Sequence, residues 1–274
     1  MKPLIAIALI VIIAFAASSC KTQQAQDADS DKALEESVKN ALSNERGYEL
    51  DVSQLETEQK FRKYMQEGET NLAKCNRLEN MEQALLKYET DSENMRRVLD
   101  MQDHYLQNAL DCFSQALLIH SNSYAAHQGV AIAAAKLDKY DLAIEHGTIV
   151  LNGSESRVLI YRVLLHAYQR KAAAAQTSAE KVQYLRKAEA LADKYRSLEP
   201  EPDIHLITYV LAQIHAVIAE NLAGDERLAE YKKAAAVIDQ HLEKYPDLIN
   251  NENPGLAEFA QKMKAASTRY KNAQ

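Results

Sequence analysis

The chain has no tryptophan, five prolines and seven glycines in 274 residues, and after Pro3 the next proline is Pro200. Proline ends helix interiors because it lacks an N–H and clashes with the preceding turn. A long proline-free stretch rich in Ala, Leu, Glu, Lys and Gln therefore favours continuous helix. Runs that alternate β-branched and polar residues, the mark of a half-buried strand, are missing too. The remaining prolines, Pro200, Pro202, Pro246 and Pro254, stand where the helical periodicity stops. A basic surplus is also lacking, since 32 cations face 39 acids for a net charge of −7. That balance argues against nucleic acid, which draws basic surfaces. No H-E-x-x-H, G-x-S-x-G, C-x-x-C or glycine-rich phosphate loop occurs. Eight histidines lie at 104, 120, 127, 146, 166, 205, 215 and 241, and none is one helical turn from another. One helix face therefore has no chelating pair, and pairs such as His104–His120 or His120–His127 meet only through tertiary packing. No metal and no cofactor is expected. The many carboxylates read as solvation of polar faces rather than acid–base pairs.

The amino terminus departs from this pattern. Lys2 precedes an apolar run from Leu4 to Ala17, and the small residues Ala17, Ser18 and Ser19 lead into Cys20. A charged start, an apolar middle and a small-residue end are the layout of a secretory signal. The run is shorter than the roughly 20 residues that a membrane span needs, although an uncleaved anchor helix is the alternative. The segment ending in Cys20 resembles the lipobox of bacterial lipoproteins, with Ala17 where that family usually has Leu. The resemblance implies that Cys20 becomes the new N-terminus and carries acyl chains such as palmitate. Each buried CH2 then contributes about 0.8 kcal/mol to holding the chain at a membrane. Lys21 is not the Asp that retains some lipoproteins at the inner membrane, so the expected place is the outer membrane, facing the periplasm. Processing removes Lys2 and no acid, which makes the chain one unit more negative. Residues 21–33 carry no aromatic or branched aliphatic side chain and read as a flexible tether. The expected organisation is a signal peptide at 1–19, a lipidated terminus, tether and short helix over 20–52, and a helical body over 53–272. Cys75 and Cys112 sit in helical patterns. They are read as buried free thiols, with a disulfide, which export permits, as the alternative.

Helix starts recur. Ser53 with Glu56 and Thr177 with Glu180 have capping-box spacing. Asn253 precedes a proline suited to the first helical position, and Asp225 after Gly224 can cap the helix that follows. The expected helices are 31–44, 53–74, 77–90, 92–120 with a possible break at Asp100–Asp103, 124–137, 140–152, 156–175, 178–197, 203–222, 225–245 and 254–272.

Residues 134–151, AAKLDKYDLAIEHGTIVL, resemble the tetratricopeptide repeat (TPR). Leu137-Asp138-Lys139 matches the short polar link, Tyr140 the aromatic and Ala143 the small residue. Ala109, Phe113 and Ala116 carry the same family's spacing one unit earlier, and Ala109 to Ala143 is 34 residues, the period of that family. Later units place Ala188, Ala192 and Tyr195, then Ala234 and Ile238, on second helices, 45 and 46 residues on. Gly147 stands where the family has an aromatic, and Gly129 on the partner helix suits a close backbone approach. The last helix, with Lys262, Lys264, Arg269 and Lys271 beside its apolar positions, looks like the solubilising cap of a repeat array. The expected fold is thus all-α, an array of antiparallel helical hairpins forming a TPR-like right-handed solenoid with a C-terminal capping helix. An irregular helical bundle is the alternative.

The TPR resemblance implies binding along a groove lined by first helices. By position, the candidates are Ala125, Gln128, Ile132, Ala135 and Lys136 in one unit. They are Leu159, Arg162, His166, Gln169 and Arg170 in the next, and Ile204, Ile207, Leu211, Ile214 and His215 in the third. Arg162, His166 and Arg170 fall on one stripe and with Lys136 make a basic patch that could receive a carboxylate or acidic peptide. A solvated polar face is the competing reading. The lysine and asparagine clamp that some TPR domains use for C-terminal carboxylates is not reproduced. The function expected is assembly of an envelope complex through a protein or peptide partner in the groove. A small-ligand-binding lipoprotein accompanying a solute transporter is the second reading. An enzyme acting on cell-wall material is the third, without a recognisable nucleophile or metal constellation.

Overall fold

The computed structural model describes residues 52–87, 92–153, 158–198, 203–248 and 254–272. Cys20, the signal and tether segments, the 31–44 helix and the Asn253 cap lie outside the described residues, as does the side chain of Ser53. Among the described residues, the regular structure is helix alone. It comprises α1 Val52–Lys87, α2 Ser92–Ile119, α3 Tyr124–Lys136, α4 Tyr140–Gly153, α5 Val158–Ala174, α6 Ser178–Ser197, α7 Ile204–Glu220, α8 Gly224–Lys244, a 3-10 turn Pro246–Leu248, and α9 Pro254–Asn272. Contacts divide the chain into one unit up to Leu137 and a second from Asp138.

In the first unit α1 and α2 pair along their lengths, and α3 packs on α2. The register is antiparallel. His120 meets Glu58 at 2.7 Å, Lys74 lies over the Tyr105 ring, and Gln102 donates to Glu82 at 2.9 Å. The two helices expected over 53–74 and 77–90 are one continuous helix, and α2 runs unbroken through Asp100–Asp103. Each long helix buries a stripe on the other, with Cys75 and Leu78 on α1 and Val98, Leu106 and Ala109 on α2. That shared packing outweighs weak local helix formers such as Asn76. Cys75 is buried, Cys112 is half-buried, and both are free thiols.

Phe113 explains the small residues around it. The ring is 1% exposed. A Cβ added at Gly129 of α3 would lie 2.6 Å from it, and one at Gly68 of α1 would lie 2.8 Å away. At Gly129 the close neighbour is thus an aromatic side chain and not, as expected, a second helix backbone. Helix α3 starts at Ser123, whose hydroxyl accepts from the Ala126 N–H at 3.3 Å.

In the second unit each helix packs on the next from α4 to α9. Asp138 precedes α4 with φ +59°, a left-handed conformation that Asp tolerates better than most residues. Antiparallel register recurs. Tyr140 meets Arg170 across α4–α5, Tyr161 stacks on Tyr195 across α5–α6, and His205 meets His241 across α7–α8. Leu164 fills the place above Gly147, where an added Cβ would lie 2.8 Å from its Cδ2. Ala143, Ala188, Ala192 and Ala234 are all fully buried, as close packing of paired helices requires. Thr177 caps α6 by accepting from the Glu180 N–H at 3.1 Å, and the Glu180 carboxylate reaches back to the Gln176 N–H at 3.3 Å. That return bond falls one residue earlier than in the standard capping box.

Helix α8 departs from expectation. It starts at Gly224, with φ +53°, and Ala223 holds the cap position without a side-chain bond. Asp225 instead sits in the first turn beside Glu226, where acids interact well with the helix dipole. Helix α9 buries Ala260, Met263, Ala266 and Tyr270 and exposes Lys262, Lys264, Arg269 and Lys271. Lys271 reaches Asp239 of α8 at 2.6 Å. Within each unit, consecutive described helices pack as antiparallel hairpins, as expected, and the second unit ends in a helix with a basic outer face.

Candidate binding surface

The residues expected to line a groove meet different fates. Gln128, Ile132 and Lys136 share one half-buried face of α3. Lys136 is not an open cation there, because its ammonium bonds Glu79 of α1 and both side chains are less than one-fifth exposed. Ile207 and Leu211 are 4% and 0% exposed, and Ile204 and Ile214 are buried with them, so these four belong to the core of the second unit rather than to a groove wall. The α7 sequence is apolar on nearly every side, and a helix of that kind is enclosed by its neighbours.

The stripe on α5 divides in the same way. Arg162 is buried. Its Nε donates to Asp203 Oδ2 at 2.6 Å, its Nη2 donates to the same oxygen, and the Tyr195 hydroxyl donates there as well. Burial lowers the pKa of Arg162, and the Asp203 hydrogen bonds and charge more than reverse that. Arg162 is therefore a structural cation that ties α5 to the start of α7. Arg170 is exposed, with its Nε donating to the Tyr140 hydroxyl at 2.9 Å and its guanidinium 5.8 Å from the Tyr140 ring. His166 packs edge-on against the same ring at 5.8 Å. Gln169 is half-buried. Tyr140 thus gathers His166 and Arg170, and Arg162 turns away to Asp203.

The structure builds a concave surface that sequence reasoning missed. The start of α4, the end of α5 and the start of α6 enclose an open cleft of about 550 Å³. Lys139, Tyr140, Leu142, Lys171, Ala174 and Tyr184 are among its lining residues. Lys171 lies 5.0 Å over the Tyr184 ring and also pairs with Asp141. The hydrogen bond to Asp141 outweighs burial and raises its pKa, so the ammonium stays charged. Lys187 extends the surface along α6, 5.9 Å from Tyr184 and 5.7 Å from Tyr168. Burial raises the Tyr140 phenol, and its bond to Asp138 adds to that. The cleft therefore offers aromatic rings, aliphatic carbon and fixed charges of both signs. The available sequence signal was the recurrence of Tyr with Lys adjacent or three residues on, in KYDL, AYQRK and VQYLRK.

A second polar cluster joins α6, α7 and α8. Glu189, His215 and Glu230 bring potential ligand atoms within 4.8 Å of one another. The space between the carboxylates is already used. Arg186 donates to Glu189 at 2.7 Å and to Glu230 at 2.9 Å, Lys233 donates to Glu230 at 2.8 Å, and His215 Nδ1 lies 2.8 Å from Glu230. Burial pushes Glu230 up, and the three donors more than overcome it, holding the carboxyl at about 2. The guanidinium bridges both carboxylates as a metal would, so the cluster is a closed ion-pair network. His215, expected in the groove, belongs to it.

The chain falls in the class of all-α proteins made of consecutive antiparallel helical hairpins. No family model and no curated protein matches it. Among solved structures it is similar to a thermophilic TPR protein of Thermus thermophilus. The identity is 18%, the match covers 60% of this chain and 91% of the other, and the TM-score is 0.35. The hairpin architecture rests on the chain's own helix packing.

Proposed function

We propose that this chain is a lipid-anchored interaction protein of the cell envelope, held by Cys20 and receiving a protein or peptide partner in the α4–α5–α6 cleft. The observation that carries the reading is the cleft itself. Tyrosine and arginine are enriched where proteins bind one another, because they combine broad apolar area with a polar end. Tyr140 and Tyr184 line the cleft, and Arg170 lies outside its lining, donating to the Tyr140 hydroxyl; the acidic chain disfavours nucleic acid. The anchoring part of the reading rests on the Leu4–Cys20 sequence.

The test is a pull-down from detergent-solubilised envelopes with wild type and with Tyr140→Ala/Tyr184→Ala, both checked for helicity. The cleft reading expects a specific partner to disappear with the double substitution, and identical partner lists would remove it. Detergent-phase partition that Cys20→Ser abolishes is expected for the anchor. Unchanged partition would refute it.

The cleft volume supports a second reading as a small-ligand binder, since ligand sites commonly span about 300–1,000 Å³. Native mass spectrometry separates the two. A retained small molecule lost in Tyr184→Ala favours the ligand, and a bare chain favours the peptide.

A further inference from the structure

No two histidines of this chain lie one helical turn apart, yet the fold brings two together. His205 lies in the first turn of α7 and His241 in the last turn of α8, and antiparallel pairing sets them side by side. His205 Nδ1 and His241 Nε2 are 2.9 Å apart, with ring centroids separated by 5.1 Å and planes inclined at 74°. Thr208 then decides which nitrogen of His241 carries the proton. Its hydroxyl donates to the Ile204 carbonyl at 2.8 Å. A hydroxyl has a single proton, so toward His241 Nδ1, 3.3 Å away, Thr208 can only accept. His241 is therefore protonated at Nδ1, and its Nε2 turns a lone pair toward His205. A partner that fixes the tautomer and ring orientation in this way is what a metal-binding imidazole requires. Tyr245 holds both rings, packing edge-on to His205 at 5.1 Å and tilted on His241 at 4.7 Å. His241 is buried and His205 is half-buried, which leaves a route from solvent.

We propose that His205 Nδ1 and His241 Nε2 form a bidentate site for a divalent transition metal of the Cu²⁺ or Ni²⁺ kind. A metal about 2.0–2.1 Å from both nitrogens needs their lone pairs to converge on it. The 2.9 Å separation is that of the hydrogen bond between the rings, so a turn of the half-buried His205 ring replaces the shared proton with the metal. Imidazole ligation favours Cu²⁺ and Ni²⁺ among the divalent metals. Water completes the coordination. In the metal-free pair His205 Nδ1–H donates to His241 Nε2. Binding needs both lone pairs, so that proton leaves Nδ1 for solvent or for the other nitrogen of the ring. No oxidation is involved.

The surroundings set the selectivity. Arg196 and Lys244 place positive charge near His241. Arg196 also approaches Asp193 at 3.8 Å, and Lys244 lies over the Tyr245 ring. Their positive field disfavours cations held by charge alone, such as Mg²⁺ and Ca²⁺. It leaves the advantage to metals that bond strongly to imidazole nitrogen. In the Glu189–His215–Glu230 network a guanidinium spans the ligand atoms, whereas here the two imidazole nitrogens face each other directly.

The test titrates the untagged full chain with Ni²⁺ and Cu²⁺ by calorimetry, with electron paramagnetic resonance of the copper form reporting nitrogen ligands. One metal per chain is expected. His205→Phe, which keeps the ring packing on Tyr245 and removes the ligand nitrogen, is expected to weaken binding at least tenfold. Glu189→Gln is expected to leave binding unchanged. Absence of one-to-one uptake, a loss smaller than tenfold in His205→Phe, or loss in Glu189→Gln would overturn the proposal. Because His205 is half-buried, its variant decides even where His241→Ala fails to fold.

Discussion

Gly129→Ala is the sharpest probe of how the first unit packs. Alanine raises helix propensity over glycine by about 1 kcal/mol, so at an unconstrained helical site it stabilises. At position 129 the new methyl would lie 2.6 Å from Cδ1, Cδ2 and Cε2 of Phe113, inside van der Waals contact. The ring is 1% exposed and is also flanked by Gly68, so it has no solvent side into which to retreat. Overpacking of this kind costs about 1–3 kcal/mol. Set against the propensity gain, the expected net effect is a destabilisation of up to about 2 kcal/mol. Urea unfolding followed by far-ultraviolet circular dichroism measures it. The same substitution in a Phe113→Leu background meets a smaller side chain and is expected to lose most of that penalty. The difference between backgrounds is a coupling energy that isolates the ring contact. Stabilisation by Gly129→Ala in the wild-type background would show that the ring does not occupy the space above the glycine.

Four further outcomes follow from the second unit and the cysteines. Arg162→Ala strips the buried Asp203 of its cation and is expected to cost about 3–5 kcal/mol in thermal or urea unfolding, whereas the exposed Arg170→Ala is expected to cost under about 1 kcal/mol. Native-state labelling with a thiol reagent is expected to modify Cys112 well before Cys75. Burial, chiefly, pushes the Cys75 thiol up to about 12, with Glu79 adding to the rise and Lys136 opposing it. Between about pH 6.5 and 4 the unfolded chain takes up a proton at His241 that the folded chain refuses, so stability falls as pH falls through that window, by about 3 kcal/mol in all; in His241→Gln that slope is expected to flatten. Glu230, held at about 2, contributes stability that is full above the ordinary glutamate range and is lost as pH falls toward 2, a loss that Glu230→Gln is expected to remove from the acid titration of stability.

The helices were legible because their causes are local. Proline placement, the Thr177–Glu180 cap and the small residues Ala109, Ala143, Ala188 and Ala234 each act within a turn or at one helix contact. The boundaries that were misread depend on distant partners. The α1 helix runs through Cys75 and Asn76 because α2 packs alongside it, and α8 starts at Gly224 rather than behind an Asp225 cap. The surface was harder to foresee for the same reason. Spacing put Arg162, His166 and Arg170 on one stripe, but spacing says nothing of what stands opposite. Asp203, 41 residues away, captures Arg162, and Tyr140 gathers the other two.

What the sequence determined by itself is the helical composition, the repeat of small residues that lets helices pair, the acidic balance and the Cys20 motif. Each of these is a matter of residue type and local period. Tertiary structure alone decided which polar groups remain available. Burial and ion pairing are properties of neighbours brought together from far along the chain, as with Lys136 and Glu79 or His205 and His241. A charge or an imidazole has its role set by the partner it meets, and the linear order of residues does not contain that partner.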